Sequence, residues 1–149
     1  MLIWAIAFAI TIAVCKRGQI ETRPLKLAFG SLVLTTAVGF ISLPIVLFQA
    51  GAAAIINDPW NLWSTIITLL IIGWFLAVKS RLALVFVCLT QGLGVIGDAV
   101  YLSDPTFPAS MALGAMFGFI VNAVGAVACV YCFFTWKTSV PNRVEVLNA

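Results

Sequence analysis

Residues Trp60 to Leu102 read WNLWSTIITLLIIGWFLAVKSRLALVFVCLTQGLGVIGDAVYL, two apolar runs parted only by Lys79-Ser80-Arg81. Each run has about the 20 residues that an α-helix needs to cross roughly 30 Å of hydrocarbon at about 1.5 Å per residue. A polar break this short leaves room only for a reversal, so the two runs are read as antiparallel neighbouring spans.

The same pattern extends in both directions. Leu27 to Ala50 is read as another span, with Pro44 expected to kink it because proline removes a backbone donor. Ala109 to Trp136 is read as the last, followed by a polar tail over 137–149. The first run, Met1 to Val14, measures only about 21 Å as a helix. It has no basic stretch before it and no small residues at a cleavage point, so it is read as an uncleaved short span whose Lys16 and Arg17 reach back to the interface. The expected fold class is all-α: one polytopic transmembrane helical bundle over 1–149, with spans near 1–15, 27–50, 60–78, 82–102 and 109–136. If the short first segment does not cross, four spans remain.

Composition points the same way. Of 149 residues 63% are hydrophobic and 9% charged, against about 25% charged in soluble domains. The net charge of +3 does not indicate a nucleic-acid partner, because the basic residues stand in short clusters at the ends of apolar runs. Lys16, Arg17, Arg23 and Lys26 follow the first run, Lys79 and Arg81 the third, and Lys137 and Arg143 the fifth, all on one side of an alternating topology. Short cytoplasmic loops hold the lysines and arginines, so that side is read as cytoplasmic, with the C-terminus inside and the N-terminus outside, in a bacterial inner membrane. Trp4, Trp60, Trp63, Tyr101 and Trp136 fall near the expected interfaces.

The chain has no histidine, which removes imidazole haem ligation, His-based proton transfer and most zinc sites. No cofactor or metal is expected. Gly92-Leu93-Gly94-Val95-Ile96-Gly97 matches the glycine spacing of a dinucleotide-binding turn but lies inside an apolar run, where neither a preceding strand nor a wet helix N-terminus exists. It is read as a small-residue surface for close helix approach, as are Gly114 with Gly118, and Ser31, Thr35 and Gly39 at four-residue spacing. Asn57-Asp58-Pro59 and Ser103-Asp104-Pro105 both read as helix starts, with aspartate as N-cap and proline at the first helical position.

Cys129-Val130-Tyr131-Cys132 places two thiols on one helical face. Membrane thiol oxidoreductases use such a pair with a second set of cysteines near the outer face. Here the others are Cys15, at the expected cytoplasmic end, and Cys88, within a span. The cytoplasm is reducing, so the pair is read as inert buried thiols.

The polar residues inside the spans are the candidate binding residues. Gln91 and Asn122 fall near the bilayer midplane on runs joined by a short outer loop, and are expected to bond each other for about 0.6 to 2 kcal/mol in lipid. Asp98, the one acidic residue within an apolar run, shares a face with Gln91 and Gly94 about 6 Å from the outer end of its span. An aspartate at the bilayer centre costs about 2.5 to 3.5 kcal/mol; at this depth its carboxylate is read first as interfacial, with an interhelical hydrogen bond or a proton or cation site as the alternatives.

These features lead to a small non-enzymatic membrane protein acting through helix contacts: an accessory, regulatory or immunity/exclusion-type subunit. Its partners are the lipid bilayer and other membrane subunits or itself, with no nucleic acid. The alternative is a small oligomeric transporter or channel with a polar line through Gln91, Asp98 and Asn122.

Overall fold

A computed structural model describes residues 2–50, 60–105 and 109–136. Among them the structure is all-α: α1 (Leu2–Arg17), α2 (Arg23–Ala50), α3 (Trp60–Val78), α4 (Arg81–Ser103) and α5 (Ala109–Phe134). Three segments, Arg23–Pro44, Arg81–Ser103 and Ala112–Phe134, are long and apolar enough to cross a membrane. Leu62–Val78 is a shorter apolar helix, and α1 has 16 residues.

The helices start and stop for local reasons. α1 ends in a Schellman turn: Gln19 takes a left-handed φ of 52°, Gln19 N donates to Lys16 O at 3.1 Å, and Ile20 N to Cys15 O at 3.0 Å. Those bonds satisfy carbonyls that the helix end would otherwise leave open, and the Ile20 and Cys15 side chains complete the motif by packing together in the core. α2 then opens at Arg23, earlier than the apolar run that begins at Leu27, because Pro24 is pre-set for a first helical turn and the Thr22 carbonyl accepts from Lys26 N at 2.9 Å. The helix continues through Pro44.

The α3–α4 connection is as short as its sequence requires. Lys79 turns the chain at φ 47°, and Ser80 caps α4, its hydroxyl accepting from Ala83 N at 3.1 Å. Trp74 of α3 and Phe86 of α4 then meet with ring centroids 5.3 Å apart, as expected of antiparallel neighbours. The Asp-Pro reading fails at Asp104: this residue closes α4, its N donating to Tyr101 O at 3.3 Å, and α5 starts only at Ala109. The sequence rule could not distinguish an aspartate ending one helix from one starting the next. Asn57-Asp58-Pro59 lies outside the described residues.

α5 packs mainly against α4 and α2, α1 lies along α2, and α3 contacts α2 and α4. The core sits where α1 and α3 end and α2 and α4 begin, so the basic residues described there surround one end of the bundle. Phe29 of α2 stacks on Phe75 of α3 at 5.0 Å, worth about 0.5–1.5 kcal/mol beyond burial. Arg81 lies over the Phe133 ring at 5.8 Å, tying the start of α4 to the end of α5. Trp136 packs against this core, while Trp4 meets Phe117 of α5 at 5.1 Å. Large apolar side chains remain exposed on all five helices, among them Phe48 at 93%. Such a surface is far more apolar than water-facing proteins maintain.

Candidate functional site

The polar residues picked out by sequence lie on the α4–α5 seam. Along α4 the order is Gln91, Gly94, Asp98, and along antiparallel α5 it is Gly125, Asn122, Gly118. The steps of three and four residues match in opposite directions, so each long polar side chain faces a glycine across the seam. A Cβ on Gly94 would fall 2.6 Å from Asn122 Nδ2, and one on Gly118 2.9 Å from Asp98 Oδ2. A Cβ on Gly125 would overlap both Gln91 Oε1 and Ser31 Oγ. Each glycine is therefore the space that its facing side chain occupies.

The bonds depart from the expected Gln91–Asn122 pair. Asn122 Nδ2 donates to Asp98 Oδ2 at 3.1 Å. Gln91 turns instead to α2, where Nε2 donates to Ala28 O at 2.5 Å and to Ser31 Oγ at 2.8 Å. The reason is register: counting from the outer loop sets Gln91 and Asn122 level, but helix packing offsets them by three residues and places Asn122 beside Gly94. Asp98 is thus more than an interfacial carboxylate. It accepts an interhelical hydrogen bond while remaining only partly buried.

Gln91 is fully buried, and among the described residues its Oε1 has no hydrogen-bond partner. That oxygen lies against the backbone of Gly125, where only a weak C–H···O contact is available. The Ala28 carbonyl is a convergence point, accepting also from Ser31 Oγ at 3.1 Å and from Cys129 Sγ at 3.9 Å. Sequence reasoning missed Ala28 as a partner, since a backbone carbonyl carries no residue-type signal. It also missed Gly125, although the mirrored spacing of polar residues and glycines on α4 and α5 was there to find it.

The small-residue stripes are only partly used. Gly94 and Gly118 are contact points, but an added Cβ at Gly39, Gly92, Gly97 or Gly114 meets nothing within 4 Å. Ser31 is buried, and Thr35 returns its hydroxyl to its own helix, to Ser31 O at 3.1 Å.

None of the four cysteines is in a disulfide, and Cys15, Cys129 and Cys132 are buried. Cys88 Sγ points to Ala126 O at 4.0 Å. The Cys129 and Cys132 side chains are 1% and 0% exposed, so no reagent or partner disulfide reaches them without helix separation. Comparison with protein-family models, with curated proteins and with solved structures gives no match.

Proposed function

We propose that this chain is a small integral membrane protein that acts through helix contacts, as an accessory, regulatory or immunity/exclusion-type subunit, and carries out no catalysis of its own. The observation that carries the reading is how its intramembrane polar groups are used. Gln91 is bonded to α2, Asn122 is bonded to Asp98, and all three side chains are seated on glycines of a facing helix. Groups employed in this way hold a bundle together. General acid–base chemistry needs several titratable groups positioned around a substrate, and the seam offers one carboxylate.

In this reading the chain crosses a bacterial inner membrane five times, with its N-terminus outside and its C-terminus in the cytoplasm. The clustering of Lys16, Arg17, Arg23, Lys26, Lys79 and Arg81 around one end of the bundle supports that orientation. At about 24 Å, α1 crosses by letting Lys16 and Arg17 extend to the headgroups. The exposed apolar faces meet lipid or the membrane helices of a partner, and no nucleic acid or cofactor takes part.

One observation favours the second reading, an oligomeric transporter or channel: the Asp98 carboxylate keeps partial exposure, and an intramembrane carboxylate is a possible proton or cation site. Purification from membranes in mild detergent separates the two. A stoichiometric second membrane protein, with no proton-linked flux in liposomes containing the purified chain, is the expected result. A homo-oligomer whose flux disappears in Asp98→Asn would establish the transporter instead.

A further inference from the structure

A groove of about 540 Å³ opens between the end of α1 and the start of α2, at the basic end of the bundle. Ile12 and Ile20 line the apolar part, and Lys16, Lys26, Gln19 and Glu21 form the polar part. From Thr11 to Lys16 the α1 wall is about 7.5 Å long, enough for a headgroup and the first methylenes below it. The Schellman bonds at Gln19 and Ile20 hold the corner in place, with Ile20 only 2% exposed. Among the described residues neither Lys16 nor Lys26 is engaged in an ion pair. Arg17 and Arg23 stand exposed beside the groove and add to its positive field.

We infer that this groove binds an anionic phospholipid, with the phosphate between the Lys16 and Lys26 ammonium groups and the upper acyl chain along Ile12. Two cations against the single Glu21 carboxylate leave a net positive rim, which selects an anionic over a zwitterionic headgroup. Basic pockets between membrane helices on the cytoplasmic side recognise lipid in this way. Free phosphate shares the headgroup chemistry but gains nothing from the apolar wall. The inference rests on the membrane placement proposed above.

The test is native mass spectrometry of the full chain in detergent, titrated with phosphatidylglycerol, with phosphatidylcholine of the same acyl chains, or with inorganic phosphate. One phosphatidylglycerol per chain should be retained over phosphatidylcholine. Lys16→Gln and Lys26→Gln should each weaken retention about fivefold. Glu21→Gln should strengthen it, and Lys79→Gln, at the same end but outside the groove, should leave it unchanged. Both lysines are exposed, and an unchanged helical circular dichroism spectrum confirms that the variants are folded. Equal retention of both lipids, indifference to the lysine changes, or displacement by millimolar inorganic phosphate would overturn the inference. Failure of the parent chain to fractionate with membranes would instead overturn the placement on which it rests.

Discussion

Asn122 stands over Gly94 and donates from Nδ2 to Oδ2 of Asp98 at 3.1 Å, so the one carboxylate of α4 is tied to the neighbouring helix one step along the seam. With Gln91 reaching from α4 to the backbone of α2, these polar contacts link the three helices that, among the described residues, are long and apolar enough to span a membrane. In lipid, where no hydrophobic force draws helices together, close packing and such bonds are what hold helix bundles together.

The glycines provide the sharpest contrast among single substitutions. Gly94→Ala, Gly118→Ala and Gly125→Ala should each destabilise the bundle, Gly125→Ala most, because its new methyl overlaps two polar side chains from two helices. Overpacking of this kind costs about 1–3 kcal/mol. Gly92→Ala, Gly97→Ala and Gly114→Ala face open space and should be neutral or stabilising by up to about 1 kcal/mol, the helix-propensity gain. Detergent-unfolding midpoints of the six variants check the division.

Gln19 occupies a left-handed position that glycine adopts without strain. Gln19→Gly should therefore stabilise the α1–α2 corner by about 1 kcal/mol, read as a later unfolding midpoint. No change would show that the corner is already unfolded when the bundle opens.

Thiol chemistry gives the third expectation. Cys129→Ala and Cys132→Ala should each cost about 0.5–1.5 kcal/mol, as for deletion of one methyl-sized buried group, and leave any partner interaction intact. Maleimide labelling of the parent should be slow at both positions in mild detergent and fast after denaturation. Rapid labelling, or a disulfide between them, would contradict the burial described.

Orientation is checked by reporters. A reporter active only in the periplasm should be inactive when fused after Ala149 and active when inserted between Ala53 and Asp58. The opposite result would invert the bundle.

Much of the fold was legible because helices of membrane-spanning length and composition follow strict sequence rules. Apolar run length located the helices, and the Lys79-Ser80-Arg81 break gave the α3–α4 reversal. Helix ends were less legible: charged residues such as Arg23 and Lys26 extend α2 beyond its apolar run, and Asp104 proved to be a stop. Along the seam, Gln91, Asp98 and Asn122 stood out in the sequence because polar groups in apolar runs are costly. Their pairing was not. Depth counted along a chain is uncertain by about one helical turn, and a shift of three residues is enough to exchange Gln91 for Asp98 as the partner of Asn122.

The most direct test of this account is a pair of double-mutant cycles read by unfolding in detergent micelles. Asp98→Ala with Asn122→Ala should show a coupling of about 0.6 to 2 kcal/mol, since both remove one bond. Gln91→Leu with Asn122→Leu should add within about 0.5 kcal/mol, since each breaks a different contact. Additivity in the first cycle and strong coupling in the second would show that the seam is not paired as described, and that its polar groups are not the bonds joining α2, α4 and α5.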